Sequence, residues 1–215
     1  MEHTEPIVFV VDDDEAICRS LGLLIEDIGL KARAFTGAQH FLSAYDPAQP
    51  GCLVLDVRMS GMSGLELQSR LNELGIRIPT IIMTGHGDVP MAVEAMKAGA
   101  LDFVEKPFRD QVMLDSIQKA VVLDRRSREA EKRRAVFRSK LDTLTQRERQ
   151  IMNMLILGKT NKVIAYELEI SQKTVDFHRC NILGKLGVNS VVDLVRLAHQ
   201  AQCIQGSPLR PPGES

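Results

Sequence analysis

At 215 residues, 44% hydrophobic and 26% charged with no tryptophan, the chain has the balance of an ordinary globular protein with room for one or two domains. Its net charge of −1 hides an acidic first part, 10 Lys+Arg against 18 Asp+Glu over residues 1–123, and a basic second part, 17 against 10 over 124–215. That division predicts two domains, with cation chemistry in the first and a polyanionic partner for the second. The scattered cysteines Cys18, Cys52, Cys180 and Cys203 speak against a zinc site or a disulfide framework. No apolar run approaches the ~20 residues that span a bilayer, and MEHTEP carries no basic segment leading into an apolar one, so a cytoplasmic protein is expected.

In chain order, IVFVV (7–11), KARAF (31–35), CLVLD (52–56), TIIMT (80–84) and LDFVE (101–105) have the length and composition of strands. Helical spacing closed by glycine falls between them, over roughly 15–28 before Gly29, 64–74 before Gly75 and 88–98 before Gly99. Strands alternating with helices predict an α/β domain, a five-stranded doubly wound parallel sheet over residues 1–123, with ligands beyond the carboxyl ends of the strands. A further helical pattern begins near Val112. It runs into a charged linker, 124–142, with 8 Lys+Arg, 4 Asp+Glu and neither Pro nor Gly. The linker reads as a solvated helix or, through Arg125, Arg126, Arg133 and Arg134, as a face toward DNA. Four short helical patterns follow, at 146–157, 161–168, 172–186 and 190–202. The tail 204–215, Pro/Gly/Ser-rich, is expected to be disordered.

The polar residues at the strand ends form a pattern of their own. Asp12 and Asp13 close the first strand, Asp56 the third and Thr84 the fourth, while the fifth leads into Lys106 and Pro107. A parallel sheet opens all of these onto one edge. Each alone reads more simply as structural, but together they bring three carboxylates, a hydroxyl and an ammonium to one place. The carboxylates repel and raise one another's pKa unless a hard cation such as Mg²⁺ removes the conflict. Asp14 is then the N-cap of the next helix.

DDD at 12–14, LDVRMSGMSG at 55–64, TGHGDVPMAVEAMKAGA at 84–100 and FVEKPF at 103–108 resemble the receiver domain of two-component response regulators of the FixJ/NarL type, in family order and at family spacing. The resemblance implies that Asp56 accepts a phosphoryl group from a sensor histidine kinase. It implies that Asp13, Asp56 and the main-chain carbonyl of Arg58 bind Mg²⁺, with Asp12 assisting through water. Thr84 and Lys106 would contact the phosphoryl oxygens, and Phe103 would be the aromatic that turns inward on activation. One residue departs from the pattern: Ser60 stands where the family usually has proline, which leaves that loop less constrained but removes no reacting group.

LTQRERQIMNML at 144–155, continued by GKTNKVIAYELEISQKTVDFHRCNILGKLGV at 158–188, resembles the LuxR-type helix-turn-helix domain, and implies an all-α four-helix DNA-binding domain over 143–203. Ile151, Leu155, Ile164, Ala165, Leu168 and Ile170 are its expected interior, joined by Val175, Ile182 and Leu186 from the recognition helix, with Ser171 as that helix's cap. Lys173, Asp176, Phe177, Cys180 and Gly184 share the opposite face, which in a recognition helix enters the major groove. Asp176 could accept from cytosine N4 and Phe177 meet a thymine methyl. Lys173, Thr174, His178, Arg179 and Lys185, with Asn161 and Lys162 from the preceding helix, are candidates for phosphates.

Residues 141–203 carry 8 Lys+Arg against 6 Asp+Glu, a net of only +2. A lone domain therefore has modest attraction for DNA, and a homodimer formed on phosphorylation, bound to promoter DNA and working with RNA polymerase, is expected. Two other readings compete. A Mg²⁺-dependent phosphohydrolase using Asp56 as nucleophile generally needs a carboxylate two residues on, where Arg58 stands. A phosphorylation-independent DNA-binding repressor would make no use of Asp13, Asp56, Thr84 and Lys106. The expectation is a regulator, not an enzyme.

Overall fold

The computed structural model describes residues 4–85 and 89–202. The tail 204–215, Cys203 and the first residue of the helix expected over 88–98 lie outside the described residues. The chain forms two compact units that divide between Arg128 and Glu129.

The first unit alternates strand and helix: β1 (Ile7–Val11), α1 (Glu15–Asp27), β2 (Lys31–Phe35), α2 (Ala38–Ala44), β3 (Gly51–Asp56), α3 (Gly64–Glu73), β4 (Thr80–Thr84), α4 (Val89–Lys97), β5 (Asp102–Glu105) and the start of α5 (Asp110–Asp142). All strand pairs are parallel, in the order β2-β1-β3-β4-β5. The order reverses between β1 and β3, so the crevice of this doubly wound sheet opens beyond the carboxyl ends of those two strands.

Side-chain alternation divides the core into two layers. Phe9, Val11, Leu53, Leu55 and Ile82 face α2, α3 and α4 through Phe41, Leu67, Leu71 and Ala95. Val8, Val10, Val54, Ile81 and Met83 face α1 and α5 through Leu21, Ile25, Met113 and Ile117. Burial on both faces is why β1, β3 and β4 read as continuous apolar runs, and why β2, at the edge, tolerates exposed Lys31 and Arg33. The one element absent from the sequence expectations is α2. It has seven residues and begins at Gly37 without a side-chain cap. It is held by its contacts instead: Phe41 lies edge-on to Phe9 and Phe35 and stacks on Tyr45.

The second unit contains the end of α5, then α6 (Gln146–Ile156), α7 (Asn161–Glu167), α8 (Gln172–Leu186) and α9 (Val191–Gln202). Thr145 and Glu148 form a capping box on α6, Thr160 caps α7, Ser171 caps α8, and Gly187 ends α8 in the left-handed region at φ 67°. Its core joins Ile151, Leu155, Ile164, Val175, Ile182, Leu186 and Leu194 to Phe137 and Leu141, two residues that the sequence reading assigns to the linker. Among the described residues no helix is long and apolar enough to cross a membrane.

Candidate functional site

The first strand ends at Val11, and the main-chain N–H of Asp12 still bonds the Phe35 carbonyl of β2 at 3.1 Å. This leaves the Asp12 side chain buried at the crevice while Asp13 emerges into solvent. Asp14 caps α1, its Oδ1 accepting from the Ala16 N–H at 2.7 Å. Asp56 ends β3, and the loop beyond it returns through the Gly64 N–H bonded to the Val57 carbonyl at 3.0 Å. A Cβ on Gly64 would lie 2.1 Å from the Asp56 main-chain oxygen, so the loop carrying Arg58 and Ser60 requires glycine at its return. Thr84, fully buried, ends β4, and its carbonyl accepts from the Lys106 N–H at 2.7 Å.

Lys106 organises this edge. Its Nζ donates to Asp12 Oδ2 at 2.6 Å and to Asp56 Oδ1 at 2.7 Å, bringing together residues 94 and 50 positions apart. The remaining oxygens are engaged by main chain: Asp12 Oδ1 by the Asp14 N–H at 2.9 Å, Asp56 Oδ2 by the Arg58 N–H at 2.7 Å. Burial pushes the Asp56 carboxyl up, above the ordinary aspartate range, against the hydrogen bond and charge of Lys106. Burial also works against the Lys106 ammonium, but hydrogen bonds and charge from Asp12 and Asp56 outweigh it and hold that group above the ordinary lysine value. Asp13 faces the other way. Its Oδ2 accepts from the N–H and the hydroxyl of Ser60, each at 2.8 Å, and these bonds hold its carboxyl below the ordinary range.

Among the described residues, the oxygen donors at this edge are carboxylates and main-chain carbonyls, which suit a hard cation that binds through one or two carboxylates and keeps several waters. Phe103 lies in register with Ile82, packs against the α2–α4 side of the core and is partly buried. By alternation along β4, Thr84 points to the same side as Ile82.

In the second unit, α7, a short turn and α8 form a helix-turn-helix. Lys173, Asp176, Phe177 and Cys180 are exposed on α8, with Phe177 63% accessible; His178 and Arg179 are half-buried, and Lys162 on α7 is exposed. Asp176 accepts from the Asn161 side-chain amide, so two of the candidate DNA contacts are tied together. Thr174 meets the Ser171 hydroxyl at 2.8 Å. Lys185 turns to Glu148, Nζ to Oε2 at 2.7 Å. Of the linker arginines, Arg134 pairs with Glu131 at 3.2 Å and Arg133 approaches Glu129 at 4.0 Å, while Arg125 and Arg126 are exposed.

Two family models match these units: the response regulator receiver domain over residues 8–118 and the luxR family of bacterial regulatory proteins over 142–198. The chain belongs to the response regulators. It is similar to the transcriptional regulatory protein FixJ of Rhizobium meliloti, 44% identical over 199 residues that cover 91% of this chain and 96% of that one. It is likewise similar to the response regulator protein TmoT of Ectopseudomonas mendocina, 43% identical over 200 residues covering 93% and 91%. Among solved structures, response regulator StyR superposes with a TM-score of 0.81 at 44% identity, covering 91% of this chain and 99% of that one. This response regulator is therefore a transcription factor of the receiver plus LuxR-type class. Three of its features escape sequence reasoning: the Ser60–Asp13 pair, the Glu148–Lys185 pair and the burial of Asp124. Each joins residues between 37 and 73 positions apart, and none has a local spacing signal.

Proposed function

We propose that this response regulator takes a phosphoryl group from a sensor histidine kinase onto Asp56, and that the modified protein dimerises and binds promoter DNA through α8. The observation that carries the reading is the Lys106 ammonium held between Asp12 and Asp56 at 2.6 and 2.7 Å. An Asp56 oxygen attacks the phosphorus of a phosphohistidine; the P–N bond breaks, a P–O bond forms, and the imidazole leaves with the kinase. Lys106 is within reach of the oxygen that becomes charged. Asp13, Asp56 and the main-chain oxygen of Arg58 would hold Mg²⁺, with Asp12 acting through water. Bound there, the ion neutralises charge on the phosphoryl oxygens.

The acyl phosphate adds close to two negative charges and three strong acceptors beside Lys106. Thr84, at the end of β4, supplies a hydroxyl to one of those acceptors, and Phe103, on the same side of the sheet, repacks as Thr84 moves. Moving a two-state equilibrium from 1:99 to 99:1 takes about 5.5 kcal/mol, whereas an exposed ion pair supplies about 0–1 kcal/mol. The shift therefore combines Lys106, Thr84, Phe103 and the dimer contact.

On DNA, α8 enters the major groove, with Lys173, Asp176, Phe177 and Cys180 toward the bases. Thr174, His178, Arg179 and Lys185 lie along the phosphates, with Asn161 and Lys162 of α7. Two copies about 34 Å apart read two half-sites, and the bound dimer engages RNA polymerase. The test uses acetyl phosphate and Mg²⁺ with the wild type and Asp56→Asn. The wild type is expected to gain one phosphoryl group by intact mass, to elute as a dimer and to bind its promoter more tightly. Asp56→Asn protein that gains the group, or that dimerises and binds as tightly as the phosphorylated wild type, overturns the proposal.

A further inference from the structure

Two hydrogen bonds that hold Asp13 come from one residue. Ser60 gives its main-chain N–H and its hydroxyl to the same oxygen, Asp13 Oδ2, each at 2.8 Å. Proline, the usual residue of the family at this position, has neither donor. The consequence is visible in how the three carboxylates are shared out. Lys106 draws Asp12 and Asp56 to itself, and Ser60 draws Asp13 to the loop after β3. Among the described residues no three His, Cys, Asp or Glu side chains stand close enough together to hold a metal ion.

We propose that Ser60 is a positioning residue that latches Asp13 to the β3–α3 loop, and that turning Asp13 toward a divalent cation shared with Asp56 displaces these two hydrogen bonds. Hydrogen bonds to a carboxylate are charge-assisted and stronger than neutral ones, so the latch competes with the ion and lowers its affinity. The same exchange frees the loop that follows the phosphoryl acceptor. Ion loading and loop release thus become one event here, which proline at residue 60 would leave uncoupled. The inference rests on the proposal above that Asp13 is a Mg²⁺ ligand.

The experiment is a Mg²⁺ titration of the unphosphorylated, ¹⁵N-labelled full chain, with wild type, Ser60→Ala, Ser60→Pro and Asp13→Ala compared, and folding of each checked by its amide spectrum. Loss of the hydroxyl in Ser60→Ala is expected to tighten Mg²⁺ binding about fivefold, and loss of both donors in Ser60→Pro to tighten it further. In the wild type the Ser60 amide resonance moves on saturation as its hydrogen bond to Asp13 breaks. Unchanged or weaker binding in both Ser60 variants, with Asp13→Ala still impaired, overturns the latch and leaves the ligand assignment standing. Wild-type binding that Asp13→Ala does not weaken overturns both.

Discussion

Lys140 Nζ donates to the main-chain oxygen of Leu186 at 3.0 Å, at the C-terminal end of α8. A cation there complements the negative end of the helix dipole and satisfies a carbonyl that has no partner within the helix. Replacing Lys140 by Met is expected to cost the second unit about 1 kcal/mol in thermal unfolding. Promoter binding should weaken several-fold while phosphorylation of the receiver is unchanged. Gly187→Ala should be worse, because its φ of 67° is strained for alanine and its Cβ would lie 2.7 Å from Lys140 Nζ.

Lys106→Ala leaves Asp12, 2% exposed, and Asp56, 5% exposed, with a like charge as nearest ionic neighbour. Stripping the cation from such a pair is expected to destabilise the receiver by about 3 kcal/mol at pH 7, measured by urea unfolding, and added Mg²⁺ should restore part of the loss. The alkaline limb carries the sign. The Lys106 ammonium is held above its ordinary value, so its contribution is complete below about pH 10.4, the unfolded lysine value, and fades as pH rises through the folded value. Wild type should lose stability there, and Lys106→Ala should not.

Glu148 gives the opposite limb. It is 4% exposed and accepts from Lys185 Nζ at 2.7 Å and the Thr145 N–H at 2.8 Å. Burial pushes its carboxyl up, but Lys185 and Thr145 outweigh burial and hold it below the ordinary value. Its contribution is therefore present above about pH 4.3, the unfolded glutamate value, and is lost as pH falls through the lower folded value. Glu148→Gln is expected to lower the melting temperature of the second unit at pH 7 and to remove most of this acid-limb dependence, as followed by helical circular dichroism.

Arg128 and Asp124 fasten the end of the first unit. Asp124, 3% exposed, accepts from the Gly51 N–H at 2.9 Å and from Arg128 Nε at 2.8 and 3.0 Å. The rest of the guanidinium bonds the carbonyls of Pro47, Ala48 and Gln49. Arg128→Ala should cost about 3 kcal/mol of receiver stability, because it leaves a buried carboxylate without its cation. Arg128→Lys should recover only part, since an ammonium cannot reproduce the planar fork.

How much of this was legible in the sequence depends on how far apart the interacting residues lie. The five strands and the carboxylate-rich edge could be read because the apolar runs are long and each polar residue stands at a run's end, so sheet topology alone brings Asp12, Asp56 and Lys106 together. The helix α2 could not, because Phe41 gains its stability from Phe9 and Phe35 and not from local capping. In 124–142, Asp124, Phe137 and Lys140 resemble their charged neighbours in pattern, and only distant Gly51, the α6–α9 core and Leu186 give them roles. Ser60 was legible as a departure from the family pattern, but its partner was not.

The cores of both units take side chains from α5: Met113 and Ile117 for the first, Phe137 and Leu141 for the second. Anyone dissecting the protein should therefore place the scissors inside this helix, beyond Arg128 and ahead of Phe137. A cut at residue 142, where the charged run ends, would hand the DNA-binding fragment a hole where an aromatic ring belongs, and its weak promoter affinity would then be mistaken for a missing receiver.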